Sequence, residues 1–431
     1  MENRELGIYI HIPFCQHKCD YCDFISFSNK QDFIEHYVET VKKEINNYFE
    51  DKILLETYTI TTIYIGGGTP SYIDSKYICE IMEVLENNLK QNKVKFEDME
   101  ITIEVNPGTV TKKKLEQYRK AKINRLSIGL QSTNNEMLKQ IGRIHTYEQF
   151  LETYKIAKEV GFENINVDLM IGLPNQTIED IKRSLKEIVQ LNPTHISVYS
   201  LIIEEGTVIA RKIENHQLQE MDEELERNMY WYVKNTLELN GYTHYEISNF
   251  AKEGKESKHN MNCWRQKEYI GIGLAAHSYL NYVRYTNTSE REQYITRTNN
   301  RNTDLVKDIL ELAQNDEKLN LEENIENVEL SNNNKKTNLK EKEKYIEMIY
   351  EIEEVQDVES RKKEYMLLGL RTIEGVSISK FKEKYIDNPI FLFRKELEKL
   401  VEEKLVVIDG DYIKLTNKGL DLANLVWEEF I

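Results

Sequence analysis

The sequence predicts an α/β fold: an incomplete (β/α)6 barrel followed by a mixed α/β, mainly helical C-terminal domain. Three observations predict it. Six short β-branched runs alternate with stretches of helical length, the pattern of parallel βα units. Polar residues and glycines gather at or just beyond the C-terminal ends of those runs, as in a barrel with one active face. After about residue 215 the alternation stops. Six units rather than eight leave the barrel incomplete, and a doubly wound open sheet is the alternative that strand counting leaves open.

The strand-like runs are 7–12 (GIYIHI), 62–66 (TIYIG), 101–105 (ITIEV), 125–130 (RLSIGL), 165–171 (INVDLMI) and 195–200 (HISVYS). Helical patterns fall near 31–49, 73–89, 111–121, 147–160 and 178–190. Residues 1–215 form the barrel segment, and 216–298 hold a long amphipathic helix at 217–239 and a dense polar-aromatic stretch. Residues 299–345 are rich in Asn, Glu and Lys; 325–342 have too little apolar surface to offset their ordering entropy and read as a mobile surface insertion. In 346–431, a helical apolar face at 357–370, two more helical patterns, a strand pair around Gly410–Asp411 and a last helix at 417–430 suggest a winged-helix-like module.

Composition narrows the function. The formal charge of −17 argues against a nucleic-acid partner. No apolar run is long enough to span a bilayer, and the first residues do not read as a signal peptide, so a cytoplasmic protein is expected and not an integral membrane one. Five sparse cysteines make a poor disulfide framework and suit a reducing compartment.

Three of them stand together as Cys15, Cys19 and Cys22 in FCQHKCDYC. Such a triplet reads as a metal site. Structural zinc normally takes four ligands, with His11 or His17 able to complete a set. Three thiolates on a [4Fe–4S] cube leave one iron without a protein ligand. That iron can chelate the amino and carboxylate groups of S-adenosylmethionine and pass one electron into its sulfonium, giving a 5′-deoxyadenosyl radical.

The other strand-end residues suit that cofactor. YIGGGTPS lacks the GxGxxG spacing, but its glycines let backbone approach a ligand; the plainer reading is a turn before a helix. Glu104, Gln131, Arg143 and Asp168 supply carboxylates for an ammonium and for ribose hydroxyls, and a cation for a carboxylate. Singly, each could equally be a structural polar residue.

Taken in order, YIHIPFCQHKCDYCDF, GGGTPS, EVNPGT, NRLSIGLQS, IGRIH, NVDLMIGLP, YEISNFAKEG, HNMNCW and GIGLAAHSY resemble the radical S-adenosylmethionine proteins related to oxygen-independent coproporphyrinogen III oxidase. The closer resemblance is to their haem chaperone branch. It implies a TIM-like partial barrel, with Cys15, Cys19 and Cys22 as cluster ligands and Tyr9 and His11 beside cluster and cofactor. It further implies Gly67, Gly68 and Thr69 at the methionine amino end, and Glu104, Gln131, Arg143 and Asp168 as cofactor contacts, with Glu and Arg at the methionine moiety and Asp at the ribose.

Departures favour the chaperone branch. The oxidases carry a further cysteine two residues past the third, where this chain has Phe24, and their long N-terminal segment is not found. The branch's haem signature is His-Asn-x-x-Tyr-Trp; here His259 to Trp264 read HNMNCW, with Cys263 in place of tyrosine. His259 and Cys263 can both ligate haem iron and lie four apart, on one face of a helical turn. A structural His259, an inert Cys263 and a competing His277 remain alternatives. The function implied is haem binding and transfer to acceptor proteins, some membrane-associated and reached at the inner face of the membrane. The cluster, S-adenosylmethionine and an electron donor would assist, without coproporphyrinogen oxidase activity. A porphyrin-modifying radical oxidoreductase and a zinc-stabilised binding module are the competing functions.

Overall fold

The computed structural model describes residues 4–28, 31–50, 52–91, 99–301, 306–310, 346 and 348–431. The stretch 325–342 read as a surface insertion lies outside them.

In chain order the strands are β1 (Arg4–Ile12), β2 (Phe14–Cys15), β3 (Phe27–Ser28), β4 (Tyr58–Gly67), β5 (Glu100–Val105) and β6 (Arg125–Gln131). Then come β7 (Asn164–Ile171), β8 (His195–Ser200), β9 (Thr243–Glu246), β10 (Asn249–Ala251) and β11 (Glu268–Ile272). The last are β12 (His277–Leu280), β13 (Val283–Thr286), β14 (Glu351–Val355), β15 (Val376–Ser377), β16 (Val406–Asp409) and β17 (Tyr412–Leu415). The chain divides into two compact units, Met1–Ile128 with Glu148–Glu163 and Lys267–Asp357, and Gly129–Tyr147 with Asn164–Gln266 and Val358–Ile431.

The first unit is built on parallel strands. β1 pairs with β4, β4 with β5 and β5 with β6, so the chain adds each new strand in one direction. β1 is apolar through most of its length because it is flanked on both sides: Ile8 sits beside Ile63 of β4 and beside Ile270 of β11. The connecting helices show why they form. In Gln31–Glu50, Ile34, Tyr37, Val38, Val41, Ile45 and Tyr48 recur at helical spacing and are buried. Ser75–Gln91 does the same with Ile78, Ile81, Met82, Leu85 and Leu89.

The parallel β11 and the antiparallel β12, β13 and β14 continue this sheet beyond β1. Sequence patterning missed them. EIEEV carries three carboxylates in five residues and reads as polar coil until β13 supplies its hydrogen bonds.

In the second unit β7 and β8 are parallel, β10 adds antiparallel to β8, and β9 adds antiparallel to β10. The Ile178–Leu191 helix between β7 and β8 starts with a capping box, Thr177 and Asp180 each bonding the other's backbone N–H. The long helix expected at 217–239 begins at Glu223, because Asp222 caps it and accepts from Leu225 N–H; a separate helix, Val208–Glu214, precedes it. The C-terminal segment packs Met366, Leu370, Phe381, Leu397, Leu400, Ile413, Val426 and Phe430 into its own core beside a three-stranded sheet ordered β15-β17-β16. Its last helix is two pieces, Asn417–Asp421 and Ala423–Glu428.

Candidate functional site

Strand register assembles the first group of residues. β1 and β4 place Tyr9 beside Tyr64 and His11 beside Gly66; β4 and β5 place Tyr64 beside Thr102, so Glu104, two residues on, shares that face. Tyr64 donates its hydroxyl to Glu104 Oε1 at 3.0 Å, and Gly67 N–H donates to Oε2 at 3.1 Å. His11 Nε2 lies 3.0 Å from the Ile25 carbonyl, which only accepts, so Nε2 carries the proton and Nδ1 accepts from the Tyr9 hydroxyl at 2.9 Å. Burial lowers the pKa of His11 and raises that of Tyr9, where the Glu104 charge adds to the shift.

The cysteine loop is held at both ends. β2 and β3 pair, placing Cys15 beside Ser28, and Phe27 N–H donates to the Pro13 carbonyl at 2.7 Å. The glycine turn lies against it. Gly68 N–H donates to Ile12 O and Thr69 N–H to Phe14 O. A Cβ on Gly68 would lie 3.0 Å from Cys15 Sγ and from the Phe14 backbone. Gly67 has φ +113°, and its Cβ would stand 2.5 Å from His11 Nδ1. The two glycines are required by this close approach. The Thr69 hydroxyl donates to Cys15 Sγ at 3.5 Å and accepts from Asn106 Nδ2 at 2.9 Å.

The donor set fits an iron–sulfur cluster. Cys15 is buried and Cys19 and Cys22 half-buried, and none of the three is in a disulfide. Burial pushes the Cys22 thiol up to about 11, so a metal bound there would have to displace its proton. Among the described residues no three His, Cys, Asp or Glu side chains come together as a site for a metal ion; three thiolates on a cube would bind three different irons.

The second unit carries the rest. Gln131 ends β6, buried, with φ +72°, a backbone a non-glycine residue adopts at some cost. His145 donates Nε2–H to the Leu130 carbonyl at 3.2 Å, which ties the IGRIH loop with half-buried Arg143 to the strand end bearing Gln131. Asp168 on β7 accepts from Asn166 Nδ2 at 2.6 Å. His259 and Cys263 share the Lys258–Trp264 helix, the first buried and the second half-buried. His277 belongs to the first unit, exposed, with its Nδ1 3.0 Å from Glu353 Oε1. Sequence reasoning missed Tyr64 and Asn106; YIGGG hinted at the first, but only register reveals what each touches.

Comparison with known proteins bears on the whole chain. Residues 9–188 match the Radical SAM superfamily, and residues 357–422 match the HemN C-terminal domain. The heme chaperone HemW of Lactococcus lactis is 33% identical over 98% of this chain and 96% of its own length. HemW of Bacillus subtilis is 32% identical over 98% of each. HemW of Escherichia coli is 37% identical over 63% of this chain and 69% of its own. The fold is shared with coproporphyrinogen III oxidase (HemN) from Escherichia coli, a radical SAM enzyme, with TM-score 0.76 and 22% identity over 99% of this chain and 90% of that one. Similarity at this level from end to end makes the chain a member of the HemW family of radical S-adenosylmethionine proteins.

Proposed function

We propose that this protein is a haem chaperone, binding haem and passing it to acceptor proteins while carrying a [4Fe–4S] cluster and S-adenosylmethionine. The observation that carries the reading is the end-to-end likeness to proteins named heme chaperone HemW. Phe24 in the position where the oxidases have a cysteine, and HNMNCW at 259–264, support it. Family membership implies an iron–sulfur and S-adenosylmethionine capability.

We assign the cluster to Cys15, Cys19 and Cys22 on an incomplete (β/α)6 barrel spanning 1–215. The linking region 216–298 bears the haem motif, and 346–431, apart from β14 in the first unit's sheet, is winged-helix-like. Bound there, the cluster would supply an electron to the cofactor's sulfonium. Tyr9, Gly67, Gly68 and Thr69 would line the methionine end and Glu104 would meet its ammonium. Arg143 would meet its carboxylate, Gln131 would add a further contact, and Asp168 would accept from the ribose hydroxyls. His259 or Cys263 would ligate haem iron, with His259 favoured because the usual signature keeps the histidine and lacks this cysteine. The electron donor and the haem acceptors, membrane-associated ones included, would be met on the cytoplasmic side, a setting that sparse cysteines outside disulfides suit.

Haem titration of the anaerobic protein tests this, beside His259→Ala and Cys263→Ala. Haem bound by the parent and weakened, or spectrally altered, in one variant is expected. Unaltered binding in both overturns the site. The second reading, a coproporphyrinogen III oxidase-like enzyme, draws on the fold shared with HemN. It takes over if the reduced protein releases carbon dioxide from coproporphyrinogen III with S-adenosylmethionine.

A further inference from the structure

In the second unit a line of hydrogen bonds starts at the helix bearing His259 and Cys263 and ends on Asp168. Ser257, wholly buried, caps that helix and donates its backbone N–H to the Tyr245 hydroxyl oxygen at 3.2 Å. The Tyr245 hydroxyl lies 2.7 Å from His195 Nε2, and His195 Nδ1 lies 2.6 Å from Asn166 Oδ1. Asn166 Nδ2 reaches Asp168 Oδ1 at 2.6 Å. Register explains the middle of the line: β7 and β8 set Asn166 beside His195 and Asp168 beside Ser197, all on one face.

With Asp168 ionised and His195 neutral, the protons of this line take one head-to-tail arrangement. An ionised Asp168 carboxylate only accepts, so Asn166 turns its NH2 toward it and its carbonyl oxygen toward His195. That oxygen accepts from His195 Nδ1–H and, at 3.1 Å, from the Ser197 hydroxyl. The remaining nitrogen of the neutral imidazole accepts from Tyr245 O–H, whose oxygen accepts from Ser257 N–H. All donors point toward Asp168, and a head-to-tail line of this kind is polarised by the charge at its end. His195 is 0% exposed, so bulk water does not compete for either ring nitrogen.

We infer that His195 and Tyr245 are positioning residues that couple Asp168 to the haem-motif helix, so that a ribose held at Asp168 changes haem affinity. The inference rests on the functional reading above, which gives ribose to Asp168 and haem to the helix. Ribose hydroxyls donating to the carboxylate share its lone pairs with Asn166. That weakens polarisation along the line and loosens the hold on Ser257 N–H at the helix start.

The test uses the full chain with its cluster oxidised, so that the cofactor is bound and not cleaved. Haem is titrated with and without saturating S-adenosylmethionine. In the parent, the haem dissociation constant should change about fivefold, the low end of measured couplings. Tyr245→Phe removes one hydroxyl and keeps the ring; it should bring the ratio to nearly one while both ligands still bind. Should that variant fail to fold, His195→Gln and His195→Leu decide. The glutamine amide can accept from Tyr245 and donate to Asn166, so it should keep the coupling that leucine loses. General destabilisation would lower both affinities and leave their ratio alone. A parent that binds both ligands independently, or a Tyr245→Phe variant with the parent's ratio, overturns the coupling and leaves the haem reading standing. A parent that binds no haem overturns both.

Discussion

The cysteine loop with its glycine turn and the Lys258–Trp264 helix are two candidate sites made in opposite ways. The first is backbone laid against backbone: Gly68 and Thr69 bond the carbonyls of Ile12 and Phe14, and Gly67 leaves no room beside His11. The second is one short helix whose cap hydrogen-bonds to a tyrosine on another strand. The first tolerates almost no added atom, whereas the second has ordinary helix-end chemistry. Close backbone approach fixes a site's shape before any ligand arrives; a helix end leaves more of the geometry to its neighbours.

The sharpest way to break this contrast is to remove one thiol from each. Cys19→Ala should abolish the assembled cluster, since two thiolates cannot hold a cube whose fourth iron stays open, while Cys263→Ala should leave it whole. Iron content and the broad absorbance near about 400 nm of the anaerobic proteins check this. A full complement of iron in Cys19→Ala would sink the ligand assignment.

Backbone substitutions come next. Gly67→Ala combines a φ of +113° with a 2.5 Å approach to a buried ring, and should cost about 3 kcal/mol or more in a denaturant melt. Ser257→Ala removes a single cap and should cost about 1 kcal/mol. Equal costs would erase the distinction drawn between the two regions.

Acid should press on the second unit. Burial depresses His145 and His244 from 6.5 to about 4, with Arg143 assisting at His145. Both are neutral when folded, so below the unfolded value the unfolded chain takes up protons first. Their contribution is complete above about pH 6.5 and drains away down to about pH 4; a tenfold difference in proton affinity between the folded and unfolded chain is worth about 1.4 kcal/mol. Glu246, raised by burial, opposes part of the loss. A melt at pH 5 should therefore show lower stability than one at pH 7.5, and His145→Gln should flatten the difference.

The smallest effect is electronic. Thr69→Val removes the hydroxyl that donates to Cys15 Sγ, and the cluster's reduction potential should fall with iron content unchanged. Thr69→Ser should restore it, and an unmoved potential in Thr69→Val would show that the hydrogen bond does not reach the cluster.

Much of this was legible in residues 5–200. The six β-branched runs are strands, five helical patterns are helices, and the triplet, GGGTPS and Glu104 lie within one unit. Local periodicity governs those features. Rows of residues across strands are not local, so the bond from Asn106 to Thr69 and the line from Tyr245 to Asp168 could not be read ahead of strand pairing. β11 hid within GIGLAAHSY and its flank, because a buried parallel strand next to glycines resembles a turn until Ile270 and Ile272 are seen beside Ile8 and Ile10.

The pairing of β2 with β3 has a consequence for repair. Because backbone hydrogen bonds between β2 and β3 close the loop from Cys15 to Phe27, they offset the entropy of bringing its ends together. A cluster held as proposed by Cys15, Cys19 and Cys22 could then be lost and refilled without parting those ends, where a zinc finger, unfolded without its ion, would have to be rebuilt.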